Sequence, residues 1–194
     1  MAILPIRHYP DPVLRVNCSA VETFDDELAK LAQDMIETMH AAPGVGLAAP
    51  QVGIERRIFV VDLSVGEDPE QIHVFVNPRI VESEGRETDV EGCLSLPGVT
   101  NKVSRPTWLK VEAQDVEGES FSFEAADWLA RAICHESDHL NGVLFTDHLR
   151  GLRKEKAKRQ LRKLAAEAAS FDKPRHEIST ERPSLQDQDP EADS

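Results

Sequence analysis

The segment Ile133-Cys134-His135-Glu136-Ser137-Asp138-His139-Leu140 is the part of the chain around which the predicted fold is organised. It contains the pattern His-Glu-x-x-His among apolar residues that recur at helical spacing, and residues four apart lie on one face of a helix. His135 and His139 can therefore point at one metal ion, while Glu136 leans over the same site to handle protons. A tetrahedral site with an open position for water needs a third protein ligand.

The two histidines also admit an ordinary interpretation. The pattern occurs by chance in helices whose histidines are surface residues or hydrogen-bonded core residues. Asp138 favours the metal interpretation, because a histidine ligand usually donates its second ring N–H to a carboxylate or a carbonyl. The choice depends on whether other parts of the chain supply a third ligand.

Length and composition are those of a single globular domain. The chain has 194 residues, of which 40% are hydrophobic and 29% are charged, as in ordinary soluble proteins. Residues 1–8 are too short for a secretory signal, and no stretch approaches the roughly 20 apolar residues of a membrane span. Three cysteines without a framework spacing favour reduced thiols. We therefore expect a soluble, cytoplasmic protein.

Charge is unevenly distributed along an acidic chain, whose formal net charge is -13. The segment from Leu152 to Ala169 is rich in Lys and Arg, whereas residues 170–194 are acidic, polar and contain three prolines. Such a tail buries too little apolar surface to stay ordered, so we expect one globular domain over residues 1–169 and a disordered acidic tail over 170–194. A basic helix on an acidic body favours docking through that helix, and we expect neither DNA nor a membrane as a partner.

The periodicity of apolar residues predicts three helices and several strands. The predicted helices are Asp25 to His40, Ala125 to Leu140 and Leu152 to Ala169. The predicted strands are residues 57–63, 73–78 with an extended continuation, 109–113 and 120–123, the last two paired as a hairpin. Residues 85–90 are expected to form an exposed turn. The fold class is α+β, a single domain of mostly antiparallel strands around a central metal-binding helix, with an N-terminal helix and a C-terminal basic helix.

Two further motifs contain candidate partners for the histidines. In Glu91-Gly-Cys-Leu-Ser-Leu-Pro97, a thiol follows a glycine that lets the backbone bend sharply. A free cysteine is usually a small buried hydrophobe, so this motif alone leaves its role open. The segment Gly44-Val-Gly-Leu-Ala-Ala-Pro-Gln51 lacks the Lys-Ser/Thr of a phosphate loop, and we reject nucleotide binding. Its Gln51 amide could polarise a carbonyl, and a tight turn with an exposed glutamine is the alternative.

Together and in this order, the three motifs resemble those of peptide deformylase. They are Gly44–Gln51, Glu91–Ser95 and His135–His139, and the resemblance extends over about residues 3–169. It implies a metal-dependent amide hydrolase that removes the N-formyl group from the N-terminal formyl-methionine of newly made polypeptides and releases formate. It also implies one divalent ion per chain, usually ferrous iron, with zinc or another divalent metal as the alternative. The implied ligands are Cys93, His135 and His139.

The resemblance assigns roles to further residues. Glu136 is the expected general base and acid for attack by metal-bound hydroxide, and Gln51 with the Leu94 backbone N–H is the expected oxyanion site. The peptide is expected to add as an extended strand beside residues 44–47. The expected substrate-binding residues are Gly44, Val45, Gly46, Leu47, Glu91, Trp128 and Ala132. Core packing explains Trp128 equally well. The implied partners are nascent formyl-Met polypeptides, and the basic helix over residues 152–169 is a candidate for ribosome docking.

Two rival interpretations stay open. Zinc peptidases also carry His-Glu-x-x-His, but their third ligand is typically a downstream Glu or His, whereas Cys93 lies upstream. A noncatalytic domain stabilised by metal would need a fourth protein ligand. Cys134 is the nearest candidate. Because it directly precedes His135 on the helix, its side chain should point in a different direction from that of His135.

Overall fold

Three α-helices lie in the part of the chain that the computed structural model describes, residues 2–171. Helix α1 spans Asp26–Ala41, and the Asp25 side chain caps it by accepting a backbone hydrogen bond from its first turn. Helix α2 spans Asp127–Leu140, and helix α3 spans Gly151–Phe171. The three predicted helices are confirmed, with ends that differ by a few residues.

The strands form two antiparallel sheets. The strands are β1 (Gly46–Ala48), β2 (Ile58–Val61), β3 (His73–Glu84), β4 (Glu87–Glu91), β5 (Asn101–Arg105), β6 (Trp108–Gln114) and β7 (Ser120–Ala126). The larger sheet has the order β1-β2-β3-β6-β7, and β4 pairs with β5 in the smaller sheet. The predicted β6–β7 hairpin is confirmed. Strand β1 is an edge strand of the larger sheet.

The smaller sheet corrects the prediction for residues 85–90. The sequence predicts an exposed turn there, but β4 begins at Glu87 and pairs with β5 through Glu91. Neither strand has an apolar stripe, because the buried residue of β4 is Glu91 and the buried residues of β5 are Val103 and Arg105. A strand whose buried residues are charged does not show the pattern that a hydrophobic core imposes.

Helices α1 and α2 cover opposite faces of the larger sheet. Ile58 and Val60 of β2 belong to the cluster formed with α1, whereas Phe59 and Val61 belong to the cluster that contains Ile133 of α2. All four side chains of β2 are fully buried, so the strand is a continuous apolar run instead of an alternating one. Burial of each large side chain stabilises the fold by roughly 2 kcal/mol. This packing fixes α2, the helix that carries the two histidines.

Helix α3 packs outside the sheets through one face. Its Ala157 and Leu161 are buried beside Leu144 and Phe145, whereas its lysines and arginines are exposed. None of the helices in the described part of the chain has the length and apolar character of a membrane span. The predicted tail falls mostly on residues 172–194, outside the described residues, so the domain boundary stays a prediction. The cytoplasmic location also stays a prediction. The α+β class is confirmed.

Candidate active site

Helix α2 presents His135, Glu136 and His139 in its C-terminal half. The two imidazole rings are one helical turn apart, with centroids separated by 5.0 Å and planes that are nearly perpendicular. All three residues are buried. Because Ile133 packs into the core of the larger sheet, the rotation of α2 about its axis is fixed, and with it the direction in which these side chains point.

Cys93 reaches the same place from the smaller sheet. It follows β4, and its Sγ lies 3.3 Å from His139 Nε2. Ligand atoms of Cys93, His135 and His139 all lie within 4.8 Å of one another. Cys134 is not part of this group and packs in the hydrophobic core, where burial raises its pKa to about 11. The fourth protein ligand that a closed structural site would need is therefore not supplied by Cys134.

The three side chains suit a divalent ion of the first transition series. One thiolate and two imidazoles are donors that zinc and iron accept in proteins, and three ligands leave a coordination position open. Burial, with the charge of Arg105, lowers the pKa of His139 well below its ordinary value, so its ring is neutral and keeps a lone pair for a metal. Its Nδ1 is buried without a hydrogen-bond partner in residues 2–171, so hydrogen bonding within the fold does not account for its burial.

Glu91 binds His135 and two other parts of its surroundings through one carboxylate. Its Oε2 accepts a hydrogen bond from His135 Nδ1 at 3.1 Å, and Arg105 binds its two carboxylate oxygens at 2.8 and 3.0 Å. Burial alone would raise the pKa of Glu91, but the bonds from His135 and Arg105 outweigh it and lower the pKa to about 2. Since Nδ1 is engaged, Nε2 is the nitrogen of His135 left for an ion. The predicted contact of Glu91 with the substrate stays a prediction.

Among the described residues, Asp138 makes no hydrogen bond to the ring of His135 or of His139, contrary to the suggestion from its position in the motif. It accepts hydrogen bonds from Arg105 and His148, each at 2.7 Å. Arg105 thereby links Asp138 to Glu91 across the interface of α2 and the smaller sheet. Sequence reasoning missed both Arg105 and Arg131, a second arginine bound to Glu91 at 2.9 Å. The available signal was the position of Arg131, four residues before His135 on one helix face.

Glu136 has the environment of a group that can exchange a proton. Burial raises its pKa to about 7, near the value at which a carboxyl group can both accept and return a proton at physiological pH. Its Oε2 has no hydrogen-bond partner within the described chain. Gly46 of β1 lies so close that a Cβ at this position would overlap Glu136 Oε1. The glycine therefore makes room for the carboxylate.

The side-chain amide of Gln51 is oriented by the backbone. Gln51 lies in a 3-10 turn over Ala49–Val52, and its Oε1 accepts a hydrogen bond from the Ala48 N–H at 2.8 Å. Its Nε2 therefore points toward Cys93 Sγ at 3.5 Å and Ser95 Oγ at 3.3 Å. The alternative of an exposed glutamine in a turn is wrong, because Gln51 is 1% exposed.

Leu94 follows Cys93 directly and packs against Gly44. A Cβ at Gly44 would lie 2.8 Å from Leu94 Cδ1, so the two segments approach closely. Among the described residues, the Leu94 N–H donates no hydrogen bond to a backbone carbonyl. Both predicted oxyanion donors therefore lie next to Cys93.

A cavity of about 350 Å³ opens beside these groups. Its lining includes Gly44, Val45, Gly46, Gln51, Glu91, Cys93, Leu94, Trp128, Arg131, Ala132, His135 and Glu136. Val45 is 40% exposed and Trp128 is 52% exposed, so Trp128 is not a core residue. The Leu47 side chain is fully buried in the cluster with α1 and does not line the cavity, so only the Leu47 backbone is left for the predicted pairing with a peptide.

The chain is similar in sequence and in structure to known peptide deformylases. A family model described as polypeptide deformylase matches residues 3–155. A peptide deformylase of Clostridium botulinum is 54% identical over 147 residues, which are 76% of this chain and 97% of that protein. One of Brucella suis is 47% identical over 171 residues, 88% of this chain and 98% of that protein. The crystal structure of a peptide deformylase from Legionella pneumophila matches with a TM-score of 0.79 and 42% identity, covering 89% of this chain and 100% of that chain.

Proposed function

The chain belongs to the polypeptide deformylase family, and on that premise we propose that it is a metallohydrolase whose residues Cys93, His135, His139 and Glu136 remove the formyl group from formyl-methionine at the N-terminus of nascent polypeptides. The products are formate and a free amino terminus. The observation that carries the proposal is the convergence of Cys93, His135 and His139 beside the cavity that Glu136 and Gln51 line.

The metal ligands are Cys93, His135 and His139, with ferrous iron as the proposed ion and zinc as the alternative. When bound, the ion supplies Lewis acidity, which lowers the pKa of water toward neutrality and polarises a carbonyl group. Cys93 acts as a ligand and not as a nucleophile, because a thiolate bound to metal has its charge already engaged. Glu91 holds His135 in the orientation that leaves Nε2 available.

Glu136 moves the proton. Its carboxylate accepts a proton from the attacking water and returns it to the amine nitrogen as the C–N bond breaks. A pKa of about 7 permits both steps near neutral pH. The Gln51 Nε2–H and the Leu94 N–H donate hydrogen bonds to the oxygen that becomes negative when the formyl carbon turns tetrahedral.

The peptide substrate binds at the free edge of the larger sheet. Residues 44–47 lead into β1 and contain its first two residues, and an extended peptide paired with this edge makes main-chain hydrogen bonds that do not depend on its sequence. The methionine side chain enters the cavity between Val45, Trp128 and Ala132. Leu47 contributes its backbone only.

One assay distinguishes this function from its rivals. The purified protein is incubated with a formyl-Met peptide and with the unformylated peptide, each with and without a chelator. We expect formate only from the formylated peptide, no internal cleavage, and loss of activity with the chelator. Cleavage of the unformylated peptide would indicate a peptidase, and metal binding without either reaction would indicate a structural site.

The identity of the ion requires a separate experiment. The metal-free protein is reconstituted under anaerobic conditions with ferrous iron or with zinc, and the rate of formate release is measured per bound ion. We expect the iron form to be the faster and to lose activity in air. Equal rates would reject the preference for iron, since by the Irving–Williams order zinc is the tighter binder and its presence alone shows only supply.

Helix α3 is the proposed contact with the ribosome, where nascent chains emerge. Its lysines and arginines are exposed, while Ala157 and Leu161 anchor it to the core. Replacing the exposed Lys156 and Arg159 with Glu should weaken co-sedimentation with ribosomes without changing formate release from a free peptide. Unchanged co-sedimentation would reject this contact.

A further inference from the structure

Arg131 occupies the junction between helix α2 and the two strands of the smaller sheet. It is 5% exposed. Its Nη1 donates hydrogen bonds to Glu91 Oε1 and to the Val103 carbonyl, each at 2.9 Å, and its Nη2 donates to the Glu87 carbonyl at 3.0 Å. One side chain therefore joins α2 to both β4 and β5.

The carboxylate of Glu91 is held from two directions. Arg105 lies on β5 and Glu91 ends β4, so their ion pair fixes the carboxylate within the smaller sheet. Arg131 stands on α2, one turn before His135, so its bond fixes the same carboxylate relative to the helix that carries the candidate ligands. Asp138 also joins α2 to Arg105, but its side chain is 21% exposed, against 6% for Arg131.

The same arginine forms part of the cavity wall. Its guanidinium carbon lies 5.7 Å from the centre of the Trp128 ring, which is within the range of a cation–π contact. Trp128 is half-exposed and is therefore not held by core packing on all sides. The contact with Arg131 helps to keep its ring beside the cavity.

We propose that Arg131 is a positioning residue for this enzyme: its guanidinium fixes the Glu91 carboxylate that orients His135, and it holds the side of the cavity that receives methionine. The second half of this inference rests on the proposed function, whereas the first half rests on the contacts with Glu91 alone. Lysine cannot replace Arg131, because a single ammonium does not present the planar fork that reaches three separate acceptors.

The test compares Arg131→Met and Arg131→Lys with the parent protein. Arg79→Met is the matched control, since Arg79 is an exposed arginine paired with Glu112 on the surface of the larger sheet. Zinc affinity is measured by competition with a chelator, and the visible spectrum of the cobalt-loaded protein reports the geometry of the ligands. KM and kcat are measured with a formyl-Met peptide.

We expect Arg131→Met to weaken zinc binding by roughly 10-fold, the lower end of the range for losing a partner that orients a metal ligand, because Arg131 acts on His135 through Glu91. Its cobalt absorption bands should shift, and its KM should rise. Arg131→Lys should lie between this variant and the parent, and Arg79→Met should equal the parent in all readouts.

Zinc affinity, cobalt spectrum and KM of Arg131→Met that equal those of the parent would overturn the proposal. Full restoration by Arg131→Lys would also overturn it, because charge without the fork would then suffice. If Arg131→Met fails to fold, a folded Arg131→Lys decides alone, with weaker zinc binding and a shifted spectrum in support and parent-like values against. A parent that releases no formate would refute the proposed function, while the zinc and cobalt measurements would still decide whether Arg131 orients His135.

Discussion

The surroundings of Glu91 and of Glu136 differ in one respect that separates their roles. Both residues are about equally buried, at 5% and 4% exposure. Hydrogen bonds from His135 and Arg105 overcome the effect of burial at Glu91 and lower its pKa to about 2, whereas burial dominates at Glu136 and raises its pKa to about 7. Burial disfavours both carboxylates, and the cations within reach decide which of them stays charged.

The opposite pKa shifts give the two glutamates of this site different roles. Glu91, bound by Arg105 and Arg131, keeps a constant negative charge and holds His135. Glu136 lies against Gly46 and has one carboxylate oxygen without a hydrogen-bond partner in the described residues, so it can gain and lose a proton.

The largest effect is expected from Glu136→Gln, which removes the proton carrier and keeps its size. We expect kcat for formate release to fall by roughly 10³-fold, within the usual contribution of a general acid and base. Metal content should not change, since Glu136 is not among the three candidate ligands. Formate release and metal content are measured on one preparation, with the exposed Glu112→Gln as control. Activity above a tenth of the parent value would contradict the role of Glu136.

The raised pKa of Glu136 also predicts a pH dependence of stability in the chelator-treated protein. The folded-state pKa of about 7 lies above the ordinary 4.5, so as the pH rises the unfolded chain releases this proton first. The contribution of the protonated Glu136 to the free energy of unfolding is fully present below pH 4.5 and is lost as the pH rises through 7. At about 1.4 kcal/mol per pKa unit, the parent should lose about 3 kcal/mol relative to Glu136→Gln. Urea unfolding at several pH values measures this, and parallel stability curves would contradict it.

Glu91→Gln tests the other side of the comparison. The amide keeps the shape of the side chain but removes the charge that His135, Arg105 and Arg131 share. We expect zinc affinity to fall roughly 30-fold, within the range for loss of a partner that orients a metal ligand. Chelator competition measures the affinity, and Glu87→Gln, an exposed side chain on the same strand, is the control. A variant that binds zinc like the parent would show that Arg105 and Arg131 serve the fold alone.

The smallest effect is expected from Gly46→Ala. The added methyl group would overlap Glu136 Oε1, and the carboxylate must move to accommodate it. Overpacking of this kind should reduce stability by about 1 kcal/mol and should lower kcat several-fold. In the double variant with Glu136→Gln, the effect on kcat should disappear, because the group that the methyl displaces no longer transfers a proton. Additive losses would mean that Gly46 matters for another reason.

The sequence by itself determined the local geometry. Backbone geometry within α2 places His135 and His139 one turn apart wherever the helix lies, so their pairing was predictable from a spacing of four. The β6–β7 hairpin was predictable for the same reason, since alternation and a short turn are local properties. Cys93 entered the predicted ligand set through the resemblance of ordered motifs, because its spacing from His135 carries no geometric meaning.

Only the tertiary structure decided what surrounds each of these groups. Arg105 and Arg131 lie 14 and 40 residues from Glu91 in the chain, and a charged residue at such distances leaves no periodic signal. The smaller sheet was missed because its strands bury charged residues, and the bond of Glu91 to His135 was missed because no sequence pattern brings these two side chains together. The opposite pKa shifts of Glu91 and Glu136 could not be read from two identical residue types, since a pKa depends on the neighbours that the folded chain brings within hydrogen-bonding distance.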